Sequence, residues 1–411
     1  MNMNGLSLQV KSALSGGVIL LALVGGAAAG SQYGPGASDT EIKFGQNMPY
    51  SGPASIFSVQ GMTLSAYFKM INDRGGIRGR KLNFISLDDG YSPSKAMEQA
   101  RRLVENDEVL FIGASHGTPA NMAIRPYLNA KKIPTIFAIN GLAAMGDLGK
   151  YPWTIGWQPT YEGEARIYAR YVLQQKPNAK IAILYQNDDL GKAYVKGIEY
   201  ELGEKAKAMI VAKQSYDITA PTVDSQVAIL KESGADVFIN ASTPKFAAQS
   251  IRIAYDTGWH PLQLLSYTSA SVATVMVPAG VEKAAGIISS TFFKDPSDPQ
   301  WANDPDLLEY TAFLAKYRPG ANVNDIFNLV GYLLAESIEK VIEQCGDNLT
   351  RENLMAQALN MNVRIPMLLP GVMMQTSAKS PYPIKTLQLQ RFDGKSSFVL
   401  FGELMNAAPE D

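Results

Sequence analysis

The sequence predicts an α/β protein made of two doubly wound parallel-sheet lobes in tandem. Two patterns carry that expectation. Short apolar strand candidates alternate with segments of helical periodicity, and the alternation begins afresh after Tyr151-Pro152-Trp153. A length of 411 residues, with 46% hydrophobic and 18% charged, gives room for two packed cores and excludes a disordered or fibrous chain.

The N-terminal segment reads as an address. Lys11 precedes the apolar run Val18 to Val24, and small residues follow with an A-x-A site at Ala27 and Ala29. That is the order of a secretory signal peptide, and the run falls well short of the ~20 residues that span a bilayer. Residues 1–29 are therefore expected to be removed near Ala29, leaving an exported, soluble protein, most simply periplasmic. Gln32 to Asp39 is a Gly/Pro-rich lead-in.

In the first half, Ile42 to Gln46, Leu82 to Leu87, Val109 to Ile112 and Thr135 to Ile139 have strand character. Between the first two, Ile56, Val59, Thr63, Leu64, Tyr67, Phe68 and Ile71 recur at helical spacing, and Gly75-Gly76 supplies a left-handed stop. Ser92 before Pro93 marks the next helix start. In the second half, a stripe of Ala165, Tyr168, Ala169 and Val172 leads to strands starting at Ile181, Met209, Val237 and Leu262, spaced like βαβ units of about 30 residues. Gly286 to Thr291 reads as a further strand, followed by a Pro/Asp-rich loop from Asp295 to Asp304. Leu307 to Tyr317, Ile326 to Gln344 and Thr350 to Leu359 are helical and have no strands between them, so the chain is expected to return to the first lobe. Lys385 to Phe392 and Ser397 to Phe401 alternate about Asp393-Gly394, an antiparallel hairpin signal.

Charge and rare residues narrow the function. Thirty-seven Lys and Arg against 38 Asp and Glu give a net charge of -1 without a basic run, which argues against nucleic acid. Two histidines, His116 and His260, and one cysteine, Cys345, leave neither a zinc cluster nor a disulfide framework. No phosphate-loop motif is present, and no cofactor or metal is expected. Gly113-Ala114-Ser115-His116-Gly117 has the G-x-S-x-G form of a nucleophile elbow, and a serine hydrolase using Ser115 with His260 is one reading. The same string suits a strand-to-helix turn in which glycine gives tight geometry and Ser or Thr caps a helix. Asp88-Asp89 and Asp188-Asp189 also follow strands, where capping and turn formation explain them. Met361, Met367, Met373 and Met374 read as core.

Turns rich in Ser, Thr, Asn, Tyr and Gly gather at the strand C-terminal ends: Pro49 to Gly52, Ser115 to Thr118 and Asn140-Gly141, then Asp188 to Gly191, Ser242 to Pro244 and Tyr267 to Ser269. Ligands of open α/β sheets collect at such edges. Two edges facing one another form a cleft that closes on a small molecule.

Glu41 to Gly45, Ser51-Gly52-Pro53, the run Ile71 to Leu82, Asp88-Asp89, Ile181 to Tyr185 with Gly191, Phe246 to Gly258 and Asp393-Gly394 resemble the Leu/Ile/Val-binding proteins of branched-chain amino-acid ABC importers. The resemblance covers nearly the whole mature chain. It implies a type I periplasmic binding fold with three hinge crossings, lobe 1 at 40–157 plus 291–370 and lobe 2 at 158–290 plus 371–406. It implies a non-enzymatic, monomeric receptor with a small-molecule carboxylate as ligand and a membrane permease as partner. By resemblance the ligand-binding positions fall on Phe57, His116, Gly117, Thr118, Asn140, Gly141, Tyr161, Leu190, Thr243, Tyr267 and Thr268. Where amino-acid binders of the family place an acidic side chain for the ammonium, this sequence has Tyr267-Thr268-Ser269. A carboxylate without a cation is therefore expected, although Asp188 or Asp189 would reach an ammonium if their loop bent inward. The string Thr243 to Gln249 is similar to that in binders of aromatic carboxylates, so a benzoate-like or phenylpropenoic acid is the expected ligand, with a branched-chain or other amino acid as the alternative.

Overall fold

The computed structural model describes residues 32–409, so the expected export signal at 1–29 lies outside the described residues. Two sheets organise the chain. The first contains β1 (Glu41–Met48), β2 (Lys81–Asp88), β3 (Ile112–Gly113), β4 (Thr135–Ala138) and β5 (Thr154–Gly156), all parallel in the order β2-β1-β3-β4-β5. The second contains β6 (Ile181–Gln186), β7 (Ile210–Tyr216), β8 (Val237–Ala241), β9 (Leu262–Leu265) and β10 (Ile288–Thr291), with the hairpin β11 (Thr386–Phe392) and β12 (Phe398–Asn406) added antiparallel at one edge.

Each expected strand is present, with shifted ends. The β3 ladder is shorter than expected, because Val109 to Phe111 lie alongside β1 through single bonds, Leu110 N–H to Lys43 O at 2.8 Å and Gly45 N–H to Phe111 O at 3.0 Å. Met209 closes a helical turn rather than opening β7. The hairpin loop runs from Asp393 to Ser397, and Asp393 Oδ1 accepts the N–H groups of Lys395, Ser396 and Ser397.

The first helix, α1 (Ser58–Asp73), buries Thr63, Leu64, Tyr67, Phe68 and Ile71, the face that its apolar spacing marks. It stops where Gly76 N–H bonds Ile71 O. Gly76 has φ +81°, and a Cβ there would lie 2.0 Å from Arg80 O, so no other residue fits the turn. The next two helices are α2 (Pro93–Arg101) and α3 (Thr118–Ala130). In the second lobe come α4 (Tyr161–Gln175), α5 (Asp189–Leu202), α6 (Asp224–Glu232) and α7 (Pro244–Asp256).

Three further helices, α8 (Pro305–Tyr317), α9 (Ile326–Cys345) and α10 (Arg351–Ala358), return to the first sheet. Gly331 allows α9 to approach α1, since a Cβ there would meet Gln60 O at 2.6 Å. Thr63 Oγ1 donates to Asn328 Oδ1 at 2.9 Å, and the Tyr67 and Tyr332 rings meet edge to face at 5.3 Å. The chain crosses between the sheets three times: after β5, after β10 and before β11. The last two crossings pair, with Leu369 N–H donating to Phe292 O at 3.0 Å and Lys294 N–H to Met367 O at 2.8 Å. Among the described residues no helix is long and apolar enough to cross a membrane.

Candidate functional site

The strand C-terminal ends of the two sheets face a common cavity. On the first-lobe side, a short turn at Ser55–Phe57 leads into α1 and turns Phe57 inward; Gln60 follows one helical turn later on the same face. Phe57 packs on His116 at 4.3 Å and on Phe327 at 5.0 Å between ring centroids. The β3-to-α3 turn brings in His116, Gly117 and Thr118. Gly117 has φ +97°, and a Cβ there would stand 2.7 Å from Tyr91 Cε2, so glycine is what admits the Tyr91 ring. The Thr118 N–H opens α3 without a carbonyl partner among the described residues. Thr118 Oγ1 lies 3.5 Å from the Tyr161 hydroxyl, and Gln158 Nε2 donates to that hydroxyl at 3.0 Å. Burial pushes the Tyr161 phenol up to about 12, so it keeps its proton at neutral pH.

On the second-lobe side, Leu190 sits in the first turn of α5, which Asp188 caps by accepting Gly191 N–H at 3.1 Å. The Tyr216 hydroxyl accepts Thr243 N–H at 2.9 Å, and Thr243 Oγ1 donates to Gln186 Oε1 at 3.2 Å. Tyr267 stacks with Tyr161 at 6.4 Å and donates its hydroxyl to Pro159 O at 2.9 Å in the first crossing. Gln186 Nε2 reaches across the gap to the Tyr91 hydroxyl at 3.4 Å, so the two lobes touch.

Nine of the eleven sequence-derived positions line this cavity: Phe57, His116, Gly117, Thr118, Tyr161, Leu190, Thr243, Tyr267 and Thr268. Asn140 and Gly141 stand behind the wall instead. Asn140 Oδ1 accepts from Thr118 Oγ1 at 3.3 Å and from Leu142 N–H at 2.9 Å, which orients the threonine. A Cβ on Gly141 would fall 2.6 Å from Tyr161 Cε1, so this glycine makes room for the ring. Sequence reasoning missed Gln60, Tyr91, Trp157, Gln158, Phe292, Phe293 and Phe327. Gln60 had a signal, its i+3 spacing from Phe57. Tyr91 ends a strand-to-helix turn of the expected type. Trp157, Gln158, Phe292 and Phe293 belong to crossings whose proximity only the folded chain creates.

The lining contains no Asp, Glu, Lys or Arg. Its one histidine is uncharged, because burial holds the His116 imidazole down at about 3. Asp188 has its oxygens engaged by Gly191 N–H and Gln186 Nε2, and Asp189 is exposed, so neither faces the cavity. Two buried acids stand behind the wall: Asp89, which accepts Tyr91 N–H at 2.8 Å, and Glu164, directly behind Tyr267. The Glu164 carboxylate accepts Tyr267 N–H at 2.9 Å, Ser290 Oγ at 2.5 Å and the hydroxyls of Tyr168 and Tyr194. Those four donors engage both oxygens of Glu164.

Ser115 is fully buried, and its Oγ accepts Asn47 N–H at 3.1 Å. The positive-φ residues of the turn are Ala114, at 53°, and Gly117, at 97°, not the serine. His116 bonds Gln60, and His260 is exposed against Tyr255. The G-x-S-x-G string therefore lacks the exposed, histidine-paired hydroxyl of a nucleophile elbow. Among the described residues no cluster of His, Cys, Asp and Glu could hold a metal ion.

Residues 41–395 match the family model of periplasmic binding proteins. A Leu/Ile/Val-binding protein homolog 7 of Brucella abortus is 26% identical over 241 residues. That alignment covers 56% of this chain and 59% of the relative, so under two thirds of the relative's length is spanned. Two solved structures share the fold. A branched chain amino acid ABC transporter protein of Thermus thermophilus with bound valine superposes with a TM-score of 0.81 at 17% identity, covering 90% of this chain and 97% of the other. A fatty acid ABC transporter substrate-binding protein of Thermomonospora curvata gives 0.76 at 22% identity, covering 92% and 95%.

Proposed function

The chain belongs to the periplasmic binding protein family, and from that premise we propose that it is the solute receptor of an ABC importer, taking up an aromatic carboxylate by hinge closure. The observation that carries the ligand class is the uncharged lining. An ammonium brought into it would be buried without a carboxylate partner, at a cost of several kcal/mol. A carboxylate is better served: the free Thr118 N–H at the head of α3 and the Tyr161 hydroxyl, which accepts from Gln158 Nε2 and keeps its own proton to give, are its donors. Phe57, Tyr161 and Tyr267 supply ring faces for an aromatic body. The remaining positions, His116, Gly117, Leu190, Thr243 and Thr268, complete the wall, while Asn140 and Gly141 support it.

On this reading lobe 1 spans 40–157 plus 291–370 and lobe 2 spans 158–290 plus 371–406. The chain is exported to the periplasm with residues 1–29 removed, acts as a monomer, delivers its ligand to a membrane permease and performs no chemistry.

Calorimetric titration and thermal shift with benzoate, 4-coumarate, octanoate, leucine and valine test the proposal. Saturation at about 100 times Kd would stabilise the chain by about 2.7 kcal/mol. Binding of an aromatic acid with silence for leucine and valine is expected. Tight leucine or valine binding without any aromatic acid overturns the ligand class, and ester cleavage that Ser115→Ala abolishes overturns the receptor reading.

A further inference from the structure

Gln60 and His116 form a pair that the proposed function leaves unused. His116 Nδ1 and Gln60 Oε1 are 2.8 Å apart, both residues are buried, and both line the cavity. An amide oxygen only accepts, so the proton of that bond belongs to Nδ1. The ring holds a single proton, since nothing charged stabilises an imidazolium here and burial opposes one. The second nitrogen, Nε2, then carries a lone pair, and it has no protein partner among the described residues. Phe57, packed against the ring at 4.3 Å and tilted by 32°, limits its reorientation.

We propose that Gln60 is a positioning residue that fixes His116 as the Nδ1–H tautomer, so that the cleft presents Nε2 as a hydrogen-bond acceptor and selects ligands carrying a hydroxyl there. The inference rests on the aromatic-carboxylate reading for the rest of the ligand and adds a second polar group to it. Thr118 and Tyr161 donate to the carboxylate; His116 is the acceptor beside them. A cleft with only donors would favour the unsubstituted acid, because a ligand hydroxyl would lose its water without gaining an acceptor.

Two histidines in the whole chain make the tautomer directly readable. Nitrogen-15 histidine labelling of the full chain and long-range proton–nitrogen spectra, assigned with His260→Asn, are expected to show His116 protonated at Nδ1. Gln60→Met removes the acceptor at that distance and is expected to release this form. In parallel, benzoate and its 2-, 3- and 4-hydroxy isomers are titrated. At least one isomer is expected to bind about two- to tenfold tighter than benzoate, as one added hydrogen bond gives. Gln60→Met abolishes that preference while benzoate itself still binds.

An Nε2–H spectrum in the natural chain, a tautomer indifferent to Gln60→Met, or an isomer preference that survives Gln60→Met overturns the inference. If benzoate and all three isomers fail to bind, the aromatic-carboxylate reading falls and hydroxyl selection falls with it. The ligand-free spectra then decide the assignment to Gln60 independently.

Discussion

Glu164→Gln is the sharpest test of the cleft wall. The Glu164 carboxyl is fully enclosed in the second lobe, accepts from Tyr267 N–H, Ser290 Oγ and two tyrosine hydroxyls, and is pushed by burial from 4.5 to about 7. These hydrogen bonds lower the value but do not offset the loss of water. Because the folded state holds the proton to higher pH than the unfolded chain, stability is greatest below pH 4.5 and is lost as the pH rises through about 7. From about 4.5 to about 7 the loss is about 3 kcal/mol at 1.36 kcal/mol per pH unit. Glutamine does not titrate, and the substitution retains an acceptor for Tyr267 N–H. Its new amide donor meets the Tyr194 hydroxyl, which can turn to Ser266 Oγ, 2.5 Å away. Urea unfolding followed by tryptophan fluorescence is expected to show Glu164→Gln gaining on the natural chain by about 2 to 3 kcal/mol between pH 5 and pH 8. A difference that stays flat over that range, or falls, refutes the account of Glu164 as an acid that the fold holds against ionisation.

Three other substitutions or titrations follow from the same wall. Gly117→Ala places a side chain at φ +97° and 2.7 Å from the Tyr91 ring; the backbone strain alone costs about 1 to 3 kcal/mol, so a lower Tm and weaker ligand binding are both expected. Ser115→Ala strips the buried Asn47 N–H of its acceptor and should lower stability by about 1 to 3 kcal/mol. Ligand affinity, measured calorimetrically, should stay within about twofold, since Ser115 does not line the cavity. The His116 ring, held at about 3 by burial, should show no titration between pH 5 and pH 8 in nitrogen-15 spectra, and a midpoint near 6 would place it in contact with water or a carboxylate.

Much of the architecture was readable because it depends on local rules. The α1 stripe, its Gly75-Gly76 stop, the repeated strand-helix spacing and the turn at Asp393-Gly394 each follow from residues a few positions apart. The return of α8 to α10 to the first sheet also followed, since apolar helix faces need an existing sheet to cover, although a two-residue strand at Asn348–Leu349, paired with Gln32–Tyr33, interrupts the stretch that the sequence reads as free of strands. Family resemblance then located nine lining positions.

The remaining features lie beyond local rules. Ser115 and Thr118 are three residues apart in one turn, yet one hydroxyl is locked inward on Asn47 N–H and the other faces the cavity, and that direction comes from the packing of β3 against β1. Asn140 and Gly141 align with binding positions but support Thr118 and Tyr161 from behind. Tyr91 meets Gln186, Tyr267 meets Pro159, and Trp157 packs on Phe292 at 5.5 Å because three crossings bring two separate sheet edges together. Pattern in a chain reports which face of an element avoids water. Which of two buried edges oppose one another, and which polar atoms remain unpaired between them, is settled by contacts between residues about a hundred positions apart, through desolvation and close packing that no short window of sequence contains.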